Sequence, residues 1–460
     1  MAVTVSETQG TLAPGPRGLP LIGSAVPLLR DILGTTLKGM HEYGDVVRYV
    51  AGPPGPMRVV AYGIANPDDV QHVLATGSSH YSKQDAAYIE LRGLVGDGLL
   101  TSEGEVWRRQ KRMVQPLFTH KRVGGYVDMM ADEGDDVVRR WARATERGEK
   151  VDLHHEMTRL SLRIVGRALF GADVEEILPF FKHNVPFLSR RAFVRSITPV
   201  KIPLEWPTPG NRKAAKAQAE VYGVVDDLIA RRREQPVEGE DLLSLLIAAQ
   251  DPEGGVALDD GEVRDQALIF LLAGHETTAT SMTFALHLLG LHPDVQARVE
   301  DEVDEVLGDR LPTLEDVEKL SLTTMVVKEA MRLYPAAYAI PRLTEEDDEI
   351  GGYTIRAGTV AVVSPWLAHR HPRHWEQPER FMPERFTPER EKARHRYAYL
   401  PFGGGPRACI GQYFSMLEAI IVTAMLARAF RLKSPPGEVP LLPGVTLRPK
   451  RAMPTTIEAR

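Results

Sequence analysis

The 460-residue chain has a single cysteine, Cys409, so it can form no intramolecular disulfide and cannot hold an iron–sulfur cluster of its own. It lacks any run of about 18 apolar residues, which argues against a transmembrane helix and a membrane anchor. Met1 to Leu12 is polar and has neither the basic nor the apolar region of a secretory signal; residues 1–12 are expected to be a disordered N-terminus. No sign of charge dominates, because 56 Lys and Arg against 62 Asp and Glu leave a formal net charge of −6. That is an ordinary solvated surface and gives no support to nucleic-acid binding. The length exceeds that of most single domains, yet no repeat and no Ser/Gly-rich linker divides the chain.

What is present around the cysteine is unusual. A lone cysteine is ordinarily a buried, inert thiol. This one lies in Phe402-Gly403-Gly404-Gly405-Pro406-Arg407-Ala408-Cys409-Ile410-Gly411. Consecutive glycines let a backbone press closely against a flat partner. An apolar helical pattern then runs from Gly411 to about Phe430. A thiol at a helix start has its thiolate form favoured by the dipole and nearby N–H groups, conditions that suit an anionic sulfur on a metal.

Helical patterns dominate elsewhere, at 66–76, 104–147, 155–171, 214–234, 294–308, 313–319 and 321–334. The longest follows Asp259 and can run to Gly290, roughly 45 Å at about 1.5 Å per residue. Residues 45–50 and 57–62 read as a hairpin, and short strand patterns occur at 353–355, 359–364 and 443–447. The stretch 93–101 is glycine-rich and reads as an irregular, mobile loop.

Within the long helix lies Ala273-Gly274-His275-Glu276-Thr277-Thr278. It can be a mere packing site with a stray carboxylate. Chemistry offers more: Ala273 and Gly274 are small enough to leave a groove, Thr277 can donate and accept, and Glu276 can relay protons. Gln266, Phe270 and Ala273 share the Thr277 face at helical spacing. His275 reads as structural. Glu329 and Arg332 form an i,i+3 pair that on a surface is worth only about 0.2–0.5 kcal/mol. The histidines of 369–374 alternate with arginines that would repel a zinc ion, so that segment reads as structural too.

The loop around Cys409 resembles the haem-binding loop of the cytochrome P-450 superfamily, F-x-x-G-x-R-x-C-x-G, at every defined position. The long-helix motif resembles that family's [A/G]-G-x-[D/E]-T, and Glu329-Ala330-Met331-Arg332 with Pro383-Glu384-Arg385-Phe386 and the 369–375 segment match further motifs. From about Ala13 onward the resemblance implies one domain, 13–460, mainly α with a minor antiparallel β part, whose long central helix crosses over the haem. It makes Cys409 the axial thiolate of a haem b, with Phe402 and Gly411 in the binding loop. It sets Arg407, Arg342, Trp107 and Lys111 at the propionates; Lys111 stands where the family pattern has arginine, and Arg112 is a substitute. Glu276 and Thr277 would deliver protons to dioxygen. Glu329, Arg332 and Arg385 would form a buried network behind the loop.

The implied enzyme is a monooxygenase using O2 and electrons from an external ferredoxin or flavodoxin with its reductase. Cations at 108–112 and at Lys392, Arg394 and Arg396 are expected to dock that donor. Tyr88, Leu91, Leu94, Leu99, Phe270, Ala273, Ala339 and Ile340 are expected to line a pocket for a lipophilic molecule, with a terpene in bacterial secondary metabolism favoured over a fatty acid or macrolide. A soluble, cytoplasmic monomer is expected. A peroxide-using peroxygenase, a haem-dependent isomerase or a non-catalytic haem protein would share the loop without needing the Glu276–Thr277 pair.

Overall fold

A computed structural model describes residues 11–55, 57–171, 174–198, 201–235 and 241–460. The expected disorder of 1–12 falls, up to residue 10, outside them. Asp259 starts the long helix Asp260–Leu291: its side chain accepts from the Glu262 N–H at 2.8 Å, and the Glu262 carboxylate accepts from the Asp259 N–H at 3.2 Å. This reciprocal cap satisfies two donors that a helix start leaves orphaned. Buried residues occur on every side of most of the helix, as expected of an element through the middle of a domain.

Two apolar cores meet along it. The first half, Val263 to Leu272, packs with Ala86–Val95, Val174–Ile197 and Pro209–Glu234. The second half, Ala279 to Leu289, packs with Val127–Glu146, Leu153–Phe170, Pro293–Leu307, Ser321–Leu333 and the C-terminal helix Gln412–Ala429. Residues 273–277 belong to neither core. Their stretch of helix is where a site can open.

Helix predominates, with small sheets at one side. The predicted hairpin is Val46–Ala51 with Val59–Ile64, antiparallel. It extends through Val360–Val363 and Ile340–Thr344 to Tyr81–Ser82. Within that sheet only the pairing of Val59–Ile64 with Val360–Val363 is parallel. No described helix is long and apolar enough to cross a membrane.

Three local expectations need correction. Residues 443–447 form no strand; they are the bend between Leu441–Leu442 and Arg448–Pro449. The stretch 93–101 is irregular only after Val95, where Gly96 at φ +81° ends a helix. Val174–Ile197 is a helix that sequence reading did not assign, and Pro179 and Pro186 within it hide the pattern.

Glu418 on the C-terminal helix is fully buried, and among the described residues its carboxyl meets little more than the Ser161 hydroxyl. Burial pushes its pKa up to about 8, only partly opposed by the Ser161 hydroxyl. An unfolded glutamate ionises near pH 4.3, so ionisation favours unfolding and stability is lost as pH rises from there toward 8. Glu418→Gln removes that loss. Its stability relative to the native protein is expected to improve by about 3 kcal/mol between pH 5.5 and 8 in denaturant titrations. A pH-independent difference would contradict the assignment.

Candidate active site

The Cys409 loop is built before its helix begins. The Cys409 N–H donates to Phe402 O at 2.9 Å, and Gly405–Arg407 forms a tight turn between them. Gly403 and Gly405 adopt φ of +70° and +66°, open to glycine at little cost. A Cβ on Gly405 would lie 1.8 Å from Leu74 O, so this glycine lets the loop rest on the 72–76 turn behind it. Gly404 is likewise pressed against the Tyr397 ring. The flat partners of these two glycines are therefore parts of the protein itself. Cys409 is accessible although protein surrounds it on all sides. Burial raises its pKa above the usual thiol value, and the Gly411 N–H only partly opposes that rise. The expected helix-start lowering is overridden, and a cation at sulfur would be what holds the thiolate.

Beside the loop lies a buried cluster of positive charge. Arg407 stacks 3.9 Å from the Trp107 ring and donates from Nη2 to Glu103 at 3.0 Å; its Nη1 is buried without a partner among the described residues. Desolvation lowers the Arg407 pKa to about 10. Arg342 is buried and donates to Pro341 O at 2.8 Å and to the Tyr88 hydroxyl at 3.4 Å. Lys83 is buried too, its Nζ on Leu100 O at 2.8 Å, and burial with Arg342 and Arg407 nearby holds its pKa well below the ordinary value. Glu103 and Asp85 are the compensating carboxylates. Sequence reading missed Lys83, Glu103 and Asp85, which carry no motif and meet only through folding.

Other cations are already taken. Lys111 Nζ donates to Pro406 O at 2.9 Å and lies 5.1 Å from the Trp107 ring, so it braces the loop. Arg112 is no substitute for it, because Asp251 holds its guanidinium at 3.1–3.2 Å. Arg108 pairs with Glu105 and Arg109 with Glu262. Arg394 lies 4.1 Å from the Trp375 ring and donates to Arg385 O, which removes it from the expected docking face. Lys392 and Arg396 remain exposed.

On the long helix, Ala273 is exposed although Leu271, Leu272 and His275 are buried. Thr277 donates to Ala273 O at 2.6 Å, leaving its oxygen lone pairs available. Glu276 accepts from Thr446 Oγ at 2.7 Å, and no hydrogen bond joins it to Thr277 among the described residues. Gly274 does not widen the groove. A Cβ there would meet Val165 at 2.8 Å, so Gly274 serves the close approach of Leu153–Phe170. His275 bonds Leu271 O at 2.8 Å, a structural position.

The expected pocket residues divide. Ile340 reaches the loop at Gly403, with Ala339 beside it in sequence, and Phe270 packs edge-on against Phe118 at 5.1 Å. Gln266 is buried and accepts from the Leu99 N–H at 3.0 Å, which ties down the 96–101 loop instead of facing a ligand. Tyr88 belongs to the cationic cluster. Leu91 is core. Leu94 lines an apolar cavity with Phe181, and with Leu268 and Leu272 of the long helix.

Behind the loop, Glu329 and Arg332 are completely buried. Arg332 donates to Glu329 from Nε and Nη2 at 2.7 and 2.9 Å, and to the carbonyls of His369, Pro378 and Arg380 at 2.8, 2.7 and 3.2 Å. Arg385 adds a bond to Glu329 at 3.3 Å. This is far from a surface ion pair.

The interior thiol, the cationic cluster beside it and the opening at Ala273 fit a flat dianionic macrocycle with a metal at its centre; the unpartnered Arg407 Nη1 is the observation that tests the fit. The family model described as cytochrome P-450 matches residues 13–455. The chain belongs to that family. It is similar, at 36% identity over 94% of this chain and 92% of the relative, to cyclooctat-9-en-7-ol 5-monooxygenase of Streptomyces melanosporofaciens. Cyclooctatin synthase of the same organism is 36% identical, over 97% and 93%. Pentalenene oxygenase of Streptomyces avermitilis is 32% identical, over 92% and 91%. Among solved structures, the cytochrome P450DA heme domain superposes with a TM-score of 0.87 at 28% identity, covering 98% of this chain and 99% of that one.

This cytochrome P-450 is therefore a monooxygenase of a family that works with haem iron, O2 and a redox partner on lipophilic substrates. In it the Arg332 fork uses all five N–H groups, which lysine cannot reproduce. Arg332→Lys is expected to cost about 3 kcal/mol or more of folding stability and to lower the haem-loaded fraction. An unchanged denaturation midpoint and haem content would contradict the network's role.

Proposed function

We propose that this cytochrome P-450 hydroxylates a cyclic terpene or terpene alcohol in bacterial secondary metabolism. The observation that carries the proposal is the exposure of Ala273, between buried neighbours on the long helix, in a chain whose relatives have names referring to pentalenene, cyclooctatin and cyclooctat-9-en-7-ol. Haem b, when bound, supplies the redox chemistry that activates O2. Cys409 Sγ would hold the iron, and Arg407 and Arg342 would hold the two carboxylates, with Lys83 supplying further positive charge. Phe402 O takes the Cys409 N–H, and Gly411 would lend its N–H to the thiolate.

Thr277 Oγ is placed to accept from a water beside Ala273, because its own O–H is given to Ala273 O. Glu276 takes protons at the Thr446 side and passes them by rotation or through water toward Thr277, since the two do not touch. Phe270 and Ile340 limit where a hydrocarbon can lie. The electron donor is a separate acidic ferredoxin or flavodoxin, approaching the exposed Lys392 and Arg396. We place the protein in the cytoplasm, as a monomer.

The test uses a cyclic terpene alcohol with a reconstituted ferredoxin system. The native enzyme is expected to turn most electrons into hydroxylated product. Thr277→Ala should consume reductant but release peroxide, with coupling down about tenfold or more. Preference for a linear fatty acid would overturn the substrate class, and unchanged coupling would overturn the relay.

A further inference from the structure

Apart from the Cys409 site, one cluster among the described residues brings metal-ligating side chains together. His72 Nε2, His80 Nδ1 and the Tyr81 hydroxyl converge on one oxygen, Asp348 Oδ2, at 2.8, 3.4 and 2.7 Å. The two imidazole nitrogens and that carboxylate oxygen all lie within 4.8 Å of one another. Two histidines and one carboxylate suit a first-row divalent ion such as zinc, with bonds of about 2.0–2.2 Å and ligand atoms about 3.3 Å apart when tetrahedral. The separations here bracket that spacing.

The ligands come from separate elements that folding brings together. His72 opens the wide helical turn His72–Thr76, His80 closes the tight turn Ser78–His80, and Asp348 starts the strand Asp348–Ile350. The imidazoles are about one-third exposed and the carboxylate is mostly covered, so an ion can enter from solvent onto a placed anion. Gly77 fits this arrangement, because a Cβ there would strike the His72 ring at 2.5 Å. Asp69, whose carboxylate interacts electrostatically with His72, adds negative field.

The geometry points to a zinc-binding site formed by His72, His80 and Asp348, with a water as fourth ligand. Its place suggests what it does. Leu74 O in the same turn is the surface on which Gly405 of the cysteine loop rests, and Lys83 of the cationic cluster lies three residues after His80. Zinc would clamp 72–83 to the strand at Asp348 and stiffen the support of the loop, without taking part in oxidation.

The test is calorimetric titration of zinc chloride into the full-length, chelator-treated holoenzyme without a histidine tag, with thermal melts in parallel. One zinc per chain and a raised melting temperature are expected. His80→Ala and, separately, Asp348→Asn should each weaken binding by about tenfold or more and abolish the thermal gain, whereas His374→Ala should change neither. His80 is partly exposed, so its zinc-free variant is expected to melt close to the native protein. No saturable binding, or binding unchanged in both His80→Ala and Asp348→Asn, would overturn the site.

Discussion

The cysteine loop hangs from the Arg332 guanidinium. One of its donors goes to His369 O, and the His369 ring reciprocates, with Nδ1 3.3 Å from Arg332 O. The opposite ring nitrogen accepts from the Leu400 N–H at 2.9 Å. Two residues on, Phe402 O receives the Cys409 N–H. Position is thus passed from a helix in the deepest core to the sulfur through backbone and ring hydrogen bonds. Only a neutral imidazole can donate on one side and accept on the other. Burial and the adjacent arginines hold the His369 pKa well below its ordinary value, which keeps that form.

The site next to this frame is electrostatically unbalanced. Lys83, Arg342 and Arg407 have Glu103 and Asp85 as nearby carboxylates, and among the described residues Arg407 keeps one nitrogen without a partner. Buried cations without partners cost several kcal/mol each, so such an arrangement makes sense where an anionic ligand completes it. The same holds for the thiol, which burial keeps from ionising until a cation arrives. On the distal side, the long helix has apolar cores before and after 273–277, which leaves Ala273 and Thr277 as its open stretch.

What the sequence reveals follows from range. The Cys409 loop, the Ala273–Thr277 turn and the Glu329–Arg332 pair are local patterns, so their elements and mutual spacing were legible. Asp259 announces the long helix through its own capping box. Long-range partners were not legible. Gly274 looks like part of a groove until Val165 is seen against it. Arg112 looks free until Asp251 meets it, and Arg394 looks like a surface cation until Trp375 covers it. Lys83 and Glu103, in no motif, join the cluster only because a strand and a helix start converge.

The most direct test of the account is the carbon monoxide difference spectrum of the dithionite-reduced protein, native and Cys409→Ala. Thiolate ligation predicts a strongly red-shifted Soret band in the native protein that is absent from the variant. A band typical of histidine-ligated haem in the native protein, or a red-shifted band that survives in Cys409→Ala, would contradict it.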